Sequence, residues 1–341
     1  MTAWLSAAVI GGGIAGTTAA LALAKIGADV EVYEATTRTT AEGGWVTLGP
    51  SAITALDQLG VGEQIRAVGF PVVEARMMNT VTGREDRLSR YETSHRWSST
   101  HVWRRDLLSV LRDRLDQVDV HCHFNTAVTA NEASADLVVG ADGARSTTRR
   151  LLGNTTPLSF TGQIIRYGHH PKAVPGLPRH VLHFWSHPDG VVGYVGDDKD
   201  GSFWFSRHDS DDPTDVVNLA QLLHPLRSTP VAAVLDISEL SDQFALYELD
   251  PRGIWNRTDT VLTGDAAHAV SPAAGRGATS AIEDAVVLAR CLRHTDTIAA
   301  ALDTYTAIRR PVASATYRPT PGNRPQRPTA DDLFIGETAR R

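Results

Sequence analysis

Three glycines near the beginning of the chain have a spacing that suits the binding of a dinucleotide. Gly11, Gly13 and Gly16 follow a short apolar run and precede a segment with helical spacing. Glycine at these positions permits a tight turn, a close approach of the backbone to a pyrophosphate, and close packing of a helix on a strand. The pyrophosphate would then lie at the positive end of the helix, against the backbone of Ile14 and Ala15.

An acidic residue stands where the second strand of this unit is expected to end. Glu34 lies 18 residues after Gly16, and a carboxylate at that place accepts hydrogen bonds from a ribose. The carboxylate would repel a 2′-phosphate, so the pattern disfavours NADP in this site. On these residues alone, NAD and FAD both stay open as ligands.

The apolar pattern supplies the elements that position these residues. Residues 7–10 form a predicted strand, 17–26 form a helix that Gly27 ends, and 30–33 form a second strand. Together they make a βαβ unit, the ordinary setting of such a glycine motif.

The later part of the chain predicts two further kinds of structure. Between 181 and 206, short strands alternate with turn signals, which indicates an antiparallel meander. A helix is predicted over 216–226, and a short strand over 118–124. Two long helices are predicted over 278–291 and 297–316.

Composition sets limits on partners and location. The 341 residues carry a formal net charge of -6, which gives no general attraction for nucleic acid. No apolar run approaches the roughly 18–20 residues that a membrane span needs. The two cysteines, Cys122 and Cys291, are far apart and fit neither a disulfide framework nor a metal motif. The chain is therefore expected to be cytoplasmic, without a bound metal.

Four more motifs follow the glycine motif along the chain. They are RRDL at 104–107, GADGARSTTR at 140–149, GDAAH at 264–268 with Pro272, Gly275, Gly277 and EDA at 283–285, and YTAIRRP at 305–311. With the glycine motif they resemble, in the same order, the signatures of the FAD-dependent aromatic hydroxylases, the class A flavoprotein monooxygenases to which para-hydroxybenzoate hydroxylase belongs. The five matches span residues 11 to 311.

The resemblance implies an α/β fold, with a Rossmann-like FAD-binding domain of the GR2 type and an inserted antiparallel-sheet substrate subdomain. The FAD-binding part is expected over 1–75 (with the βαβ unit), 101–155 and 256–317 (with the C-terminal helices), the substrate subdomain over 76–100 and 156–255, and an extended tail over 318–341.

The resemblance also implies the cofactor site. Asp265 would bind the ribityl chain of FAD, Arg104 would reach FAD from its helix, and Asp142 with Arg149 would serve both FAD and NAD(P)H. The full set of implied cofactor-binding residues is Gly11, Gly13, Ile14, Ala15, Gly16, Glu34, Arg104, Asp142, Gly143, Arg149, Gly264, Asp265, Pro272, Gly275, Gly277 and Ala278. Pro272, Gly275 and Arg276 would form the surroundings of the flavin ring, with no obligatory side-chain catalyst.

Several of these residues also have a purely structural interpretation. Glu283 and Asp284 could begin or cap a helix, and His268 is expected to pack and hydrogen-bond rather than act as an acid or base. Arg149 could pair with a helix end or with an acid. Phe184, Trp185 and Trp204 in the meander could contact substrate or form core.

The sequence departs from the family pattern at three places. Ala35 stands where the family often has arginine or lysine, and Arg276 where it commonly has glutamine. A cation there could favour reduced flavin, bind an acidic substrate or point to solvent. The stretch 124–136 is also short, which indicates a minimal member with a more open pocket.

The function that follows from the resemblance is NAD(P)H- and O₂-dependent monooxygenation. The expected reaction is hydroxylation or epoxidation of a small aromatic or polyketide-like substrate, in bacterial secondary metabolism, by a monomer or homodimer. An FAD-containing oxidase or dehydrogenase and a non-redox cyclase that keeps FAD structurally are the alternatives. A flavin-dependent halogenase is disfavoured, because its usual tryptophan motif and lysine are not found.

Overall fold

The structure, a computed structural model, describes residues 5–38, 44–90, 99–188, 190–216, 227, 232, 239–270 and 275–317. The helices in these ranges are α1 (Ile14–Lys25), α2 (Pro50–Gln58), α3 (Gly62–Val68), α4 (Arg104–Gln117), α5 (Thr147–Leu151), α6 (Asp265–His268), α7 (Gly277–His294) and α8 (Ile298–Thr316). Only residue 216 of the predicted helix over 216–226 lies within the described residues. The predicted tail over 318–341 lies wholly outside them.

Sixteen strands lie in the same ranges. They are β1 (Ser6–Ile10), β2 (Asp29–Tyr33), β3 (Trp45–Leu48), β4 (Phe70–Val72), β5 (Glu74–Asn79), β6 (Glu85–Arg90), β7 (Ser99–Trp103), β8 (His121–His123), β9 (Leu137–Gly140), β10 (Leu158–His170), β11 (Val181–His187), β12 (Gly190–Asp197), β13 (Gly201–Asp209), β14 (Glu239–Leu249), β15 (Asn256–Arg257) and β16 (Thr260–Leu262).

A six-stranded sheet with the order β15-β16-β9-β1-β2-β8 carries the glycine motif. All its neighbouring strands pair in parallel except β15 and β16. Its central strands are apolar and buried, as a parallel sheet covered by helices requires. The carboxyl ends of β16, β9, β1 and β2 therefore meet at one edge, where α/β proteins bind their ligands.

A seven-stranded sheet with the order β14-β10-β13-β12-β11-β5-β6 forms the second layer. It is antiparallel except for the pair β5 and β11. One face packs on a three-stranded sheet of β3, β7 and β4. There the Trp45 ring lies 5.8 Å from the Tyr167 ring and 5.7 Å from the Phe205 ring, between centroids.

The aromatic residues of the meander divide between the two faces of this sheet. Phe184 packs with Trp45 and Phe203 on the face towards the three-stranded sheet. Trp185 and Trp204 are buried with Tyr194 on the opposite face. Successive side chains of a strand alternate between faces, so the two tryptophans form core on the far side.

The predicted strand over 118–124 is shorter than expected. α4 continues to Gln117, and the N–H of Val118 still bonds to the carbonyl of Leu115, 3.1 Å away. A turn with Asp119 at φ 56° follows. Only His121–His123 then pairs with β2, because the helix and its turn use up the first part of the segment.

Three buried histidines make the fold sensitive to acid. Burial lowers the pKa of His101 from 6.5 to about 3, and that of His183 and of His208 to about 4. Such an imidazole stays neutral in the fold but takes up a proton when the chain unfolds. Its contribution to stability is present above pH 6.5 and is lost as the pH falls from 6.5 towards the folded pKa.

His101→Asn isolates one of these contributions. Between pH 7.5 and pH 5, the free energy of unfolding should fall in both proteins, and we expect the wild type to lose about 2 kcal/mol more than the variant. This figure follows from about 1.36 kcal/mol for each pH unit below 6.5. Urea denaturation of both proteins at the two pH values measures this difference. Equal losses in both proteins would contradict a neutral, buried His101.

Candidate functional site

In the loop of the glycine motif, Gly11 and Gly16 have no room for a side chain, whereas Gly13 faces open space. A Cβ built on Gly11, which has φ 103°, would lie 2.5 Å from the Ala141 carbonyl oxygen. A Cβ on Gly16 would lie 1.8 Å from the Gly11 oxygen, whereas one on Gly13 would meet no atom within 4 Å. Gly13 begins α1 without a side-chain cap, and no acidic residue occupies the first turn. The first N–H groups of α1 are thus available to an anion.

Glu34 fastens this loop to the end of β2. Its Oε2 accepts a hydrogen bond from the Gly12 N–H at 2.7 Å, and its Oε1 accepts from the N–H and the hydroxyl of Thr36, each at 2.8 Å. Burial opposes ionisation, but these hydrogen bonds and the charge of Arg112 outweigh it and lower the pKa of Glu34. The carboxylate is therefore ionised and keeps lone pairs for a further donor.

Arg112 is a residue of this site that the motifs did not indicate. Its Nη2 donates to the Gly12 oxygen at 3.0 Å, its Nη1 donates to the Arg38 oxygen, and its guanidinium lies 5.3 Å from the centre of the Phe124 ring. It is 5% exposed, on the apolar face of α4 beside Leu111. The sequence does carry one signal for Arg112, because a charged residue stands there at a helical position that otherwise belongs to the apolar face.

Asp142 and Arg149 direct their side chains to the protein itself. Asp142 Oδ2 accepts from the N–H groups of Thr147 and Thr148 at 2.7 and 3.0 Å, and so caps α5. Arg149 is 5% exposed and donates to the carbonyls of Ala266 at 3.0 Å and Ala144 at 2.7 Å. One acceptor lies in α6 and the other in the loop after β9, so the side chain has a structural role and ties this loop to α6. Their predicted contacts with FAD and NAD(P)H stay predictions.

Gly143 leaves its backbone open at the same edge. It has φ 75°, and a Cβ built on it would meet no atom within 4 Å. The loop after β9 adjoins the glycine loop, because the Ala141 N–H bonds to the Ile10 oxygen at 2.8 Å. The two loops therefore border one space.

Gly264 and Asp265 lie beside the start of α1. A Cβ on Gly264 would lie 2.7 Å from the Cβ of Ala15, so only glycine permits this approach. Asp265 is exposed, and its carboxylate forms no hydrogen bond or ion pair with the part of the chain that the structure describes. Its Oδ1 lies 3.9 Å from the position of a Cβ on Gly277 at the start of α7. Asp265 thus stands close to both the α1 loop and the first turn of α7.

The loop that leads into α7 is described only from Gly275. Gly275 has φ 60° and no atom within 4 Å of a built Cβ. Arg276 is the N-cap residue of α7, but its side chain forms no capping hydrogen bond. Its Nε is buried without a hydrogen-bond partner in the described residues. Gly277 and Ala278 form the first turn, while Pro272 lies outside the described residues.

Arg104 lies where the parallel and antiparallel parts of the molecule meet. It begins α4, and its N–H bonds to the Gly44 oxygen at 3.2 Å. Its Nε is buried without a partner in the described residues. A Cβ on Gly44 would lie 2.9 Å from Cγ of Tyr167 on the seven-stranded sheet. The guanidinium of Arg104 is thus available to a ligand at this junction.

A buried ionic network fixes α6 to the two C-terminal helices. Asp284 is fully buried in α7, where its Oδ2 accepts from His268 Nε2 at 2.6 Å and from the Gly264 N–H at 3.1 Å. Its Oδ1 accepts from Arg309 Nε at 2.6 Å. Asp284 lies well inside α7, so the alternative in which it begins or caps a helix is wrong. The expectation that His268 packs and hydrogen-bonds is confirmed.

The charges of this network stabilise one another. Burial opposes ionisation of Asp284, but the charges of His268 and Arg309 outweigh it and hold the pKa of Asp284 well below its usual value. Burial also opposes protonation of His268, and Asp284 outweighs it and raises the pKa of His268 above 6.5. Arg309 also pairs with Glu283 at 3.0 Å. The network holds the backbone of Gly264 in place, directly before Asp265.

The described residues contain no group of three or more side chains that could hold a metal ion. No described helix is long and apolar enough to cross a membrane. The open glycine backbones, the uncapped starts of α1 and α7, the exposed Asp265 and the unpartnered Nε of Arg104 instead fit a large anionic ligand such as FAD.

A family model described as "FAD binding domain" matches residues 5–134 and 253–320, more than half of the 341 residues. The chain belongs to the FAD-dependent aromatic monooxygenases. Among its relatives in this family, kynurenine 3-monooxygenase of Salinispora arenicola is 29% identical, over 89% of this chain and 76% of that protein. The 3-amino-4-hydroxybenzoate 2-monooxygenase PtmB3 of Streptomyces platensis is 30% identical, over 89% and 82%.

Two solved structures have a similar fold. The tetrameric form of 2-methyl-3-hydroxypyridine-5-carboxylic acid oxygenase is 25% identical, with a TM-score of 0.73 over 91% of this chain and 88% of that one. Klebsiella pneumoniae HpxO, complexed with FAD and uric acid, is 24% identical, with a TM-score of 0.74 over 91% and 85%. The predicted α/β fold class, the FAD cofactor and the flavin-dependent monooxygenase class are thereby confirmed.

Proposed function

We propose that this monooxygenase uses NADH or NADPH and O₂ to hydroxylate or epoxidise a small aromatic or polyketide-like substrate, in bacterial secondary metabolism. One observation carries the proposal: the uncapped starts of α1 and α7 and the exposed Asp265 lie together, and Arg104 lies where this part adjoins an aromatic sheet face. The relationship to 3-amino-4-hydroxybenzoate 2-monooxygenase, 30% identical, supports an aromatic substrate.

The chain's own residues would hold the cofactor along the edge of the six-stranded sheet. The N–H groups of Ile14, Ala15 and Gly16 would bind the pyrophosphate, and Glu34 would accept hydrogen bonds from the adenosine ribose. Asp265 would bind the ribityl hydroxyls. Each of these groups has free hydrogen-bonding capacity in the geometry described above.

The start of α7 would surround the flavin ring. The N–H groups of Gly277 and Ala278 would stabilise negative charge at the edge of the ring, by the helix dipole and by hydrogen bonds. Arg276 would add a positive charge there. When bound, FAD supplies the redox chemistry that moves electrons from a nicotinamide to O₂ and one oxygen atom to the substrate. The aromatic face of Trp45, Tyr167 and Phe205 would exclude water.

Location, assembly and domain limits form part of the same proposal. A cytoplasmic location fits the free state of Cys122 and Cys291, and the protein is proposed to act as a monomer or homodimer. The substrate subdomain is proposed to comprise 76–100 and 156–255, and the rest of the chain up to 317 is proposed to form the FAD-binding part. The sheet order supports this division, since β5, β6 and β10–β14 share one sheet.

Anaerobic reduction tests the proposed reaction. We expect the oxidised flavin absorbance of the purified protein to bleach with NADH or NADPH in the absence of O₂, and to bleach faster with an aromatic substrate present. Readmitting O₂ should then restore the oxidised spectrum, with formation of a product heavier by one oxygen atom. Bound flavin that neither nicotinamide reduces would refute the proposal and favour the oxidase or the non-redox cyclase.

A further inference from the structure

Arg112 holds a backbone carbonyl of the glycine loop from a distant part of the chain. The residue is 5% exposed on α4, and its Nη2 donates to the Gly12 oxygen at 3.0 Å. Its Nη1 donates to the Arg38 oxygen. The two contacts have different consequences. The contact with Arg38 joins α4 to a neighbouring segment, whereas the contact with Gly12 reaches the loop where the FAD pyrophosphate is proposed to bind.

The contact fixes the direction of the peptide between Gly12 and Gly13. The Gly12 N–H donates to Glu34 Oε2 at 2.7 Å and the Gly12 carbonyl accepts from Arg112, so both backbone polar groups of Gly12 are held. A trans peptide is planar, and its N–H points away from its C=O. Because the Gly12 carbonyl points to Arg112, the Gly13 N–H points to the opposite side. Within the described ranges, no protein acceptor is found for this N–H.

Without Arg112, this peptide would be less constrained than the one that follows it. The following peptide is fixed by α1, because the Gly13 oxygen accepts from the Thr17 N–H at 2.9 Å and from the Thr17 hydroxyl at 2.8 Å. The Gly12–Gly13 peptide lies before the helix, and Arg112 is the donor that the described residues supply to its oxygen. A flip of this peptide would turn φ of Gly13 from −76° to positive values, which glycine adopts readily.

A flipped peptide would be unsuited to an anion. Its oxygen would take the place of the N–H on the open side of the loop, where a Cβ built on Gly13 would meet no atom within 4 Å. A carbonyl oxygen repels a phosphate, whereas successive N–H groups that point to one side attract it. The orientation held by Arg112 therefore adds the Gly13 N–H to the first N–H groups of α1.

We propose that Arg112 is a positioning residue for the cofactor, which keeps the Gly12–Gly13 peptide in the orientation whose N–H receives the FAD pyrophosphate. Arg112 acts through the backbone and does not touch FAD. The inference rests on the proposed function, because it takes the pyrophosphate to lie at the start of α1. It does not depend on the proposed reaction with a nicotinamide and O₂. FAD would thus meet a loop that is already in its binding conformation, which lowers the cost of binding.

The rates at which FAD binds to the flavin-free protein test this role. A protein that is only partly in its competent conformation binds with an affinity reduced by that fraction. When the peptide flips faster than FAD binds, the reduction falls on the association rate. We expect Arg112→Met to slow association by about 10-fold, the lower end of what a hydrogen bond to a charged group contributes. The dissociation rate should stay unchanged. Stopped-flow flavin fluorescence measures both rates.

Three further variants support the test. Arg112→Gln ends short of the Gly12 oxygen and should behave as Arg112→Met does, which provides a second test should the methionine variant not fold. Arg112→Lys keeps the charge and a donor, so it should recover part of the association rate. Arg38→Gln is the matched control. The Arg38 guanidinium lies 5.8 Å from the centre of the Phe124 ring that Arg112 also faces, but its side chain is 42% exposed and pairs with two acids of α4. Its loss should leave both rates unchanged.

Competition by ADP gives a readout that a merely structural arginine would not move. ADP carries the pyrophosphate without the flavin, so Arg112→Met should weaken its competition with FAD by the same factor as it slows FAD association. An arginine that only supports the fold would lower the melting temperature of the flavin-free protein and leave the association rates of the folded protein as they are.

Two results would overturn the proposal. One is association as fast as in the wild type in both Arg112→Met and Arg112→Gln. The other is weaker binding that comes wholly from faster dissociation, which would mean that Arg112 contacts FAD directly through its Nε, buried without a partner in the described residues. Flavin that no nicotinamide reduces would count against the proposed reaction alone, and unchanged FAD affinity in Gly13→Ala would count against the proposed place of the pyrophosphate.

Discussion

Asp284→Asn should lower the free energy of unfolding by about 3–5 kcal/mol, the range measured when one partner of a buried ion pair is removed. Asp284 is fully buried and accepts hydrogen bonds from His268, Arg309 and the Gly264 backbone. The amide keeps the size of the side chain but removes its charge. Arg309 then stays buried beside a neutral group. Urea denaturation of the FAD-saturated protein measures the loss.

Glu283→Gln is the matched control for this prediction. Glu283 is the neighbouring acid in α7, and its side chain is 16% exposed. Within the described ranges its carboxylate pairs with Arg309 alone, at 3.0 Å. A partly solvated pair contributes less than a fully buried one. We expect its loss to cost about 1 kcal/mol. Equal losses in the two variants would contradict a central role for Asp284.

The difference in the free energy of unfolding between wild type and Asp284→Asn should also depend on pH, in a direction that the two pKa shifts determine. Asp284 raises the pKa of His268 above 6.5, so the stability from this pair is complete below pH 6.5 and is lost as the pH rises through the folded pKa of His268. Asp284 has a lowered pKa, so its stability is complete above 3.8 and is lost as the pH falls. The advantage of the wild type should therefore be largest between pH 3.8 and 6.5.

Gly16→Ala should lower both the free energy of unfolding of the FAD-binding part and its affinity for FAD. The new Cβ would lie 1.8 Å from the Gly11 oxygen, a distance that neither backbone can accept. α1 or the glycine loop must then move, at a cost of about 3 kcal/mol, the upper end of ordinary overpacking. That cost corresponds to roughly 100-fold in FAD affinity when the motion opens the loop. Flavin retained on purification and denaturation of the flavin-free protein measure the two effects.

Gly13→Ala separates packing from ligand approach. Gly13 has φ −76°, which alanine accepts, and its new Cβ would meet no protein atom within 4 Å. The flavin-free variant should lose no more than about 1 kcal/mol, the usual cost of alanine at a helix N-cap. Its affinity for FAD should still fall, because the methyl group would stand where the pyrophosphate approaches the backbone. A Gly13→Ala protein with unchanged FAD affinity would argue against this loop as the pyrophosphate site.

Local sequence was sufficient to predict the glycine loop. The motif requires a tight turn and a close helix contact, and the positive φ of Gly11 and the short distance at Gly16 agree with these requirements. Gly16 lies against Gly11, five residues away, and the positive φ of Gly11 is a property of its own backbone, so both features can be read from residue type and spacing. The contact of Gly11 with Ala141 joins distant segments and could not be read in this way.

Side chains that act over long sequence separations could not be predicted in the same way. Arg112 meets Gly12 across 100 residues, and Arg149 meets Ala266 across 117. Asp142 carries a motif aspartate, yet its visible bonds cap a helix five residues later. Only the tertiary structure supplies these partners.

The pairing of the antiparallel region shows the same limit. The meander of β11, β12 and β13 followed from alternating residues and turn signals. The parallel pairing of β5 with β11 joins residues 74–79 to 181–186, and no turn residue encodes it. Register between such distant strands is set by the shared apolar face rather than by a local signal.

The six-stranded sheet can be completed only late in folding. β1 pairs with both β2 and β9, and β9 pairs with β16, so neighbours come from residues near 6, 30, 137 and 260. Closing such long loops slows folding. During synthesis, one edge of β9 stays unpaired until β16 has left the ribosome, and an unpaired edge invites association with other chains. Gly277 and Ala278, which would surround the flavin ring, follow β16 in the chain. A nascent chain that has not yet extended them beyond the ribosome therefore lacks a finished cofactor site, and chaperone contact should matter most before that point.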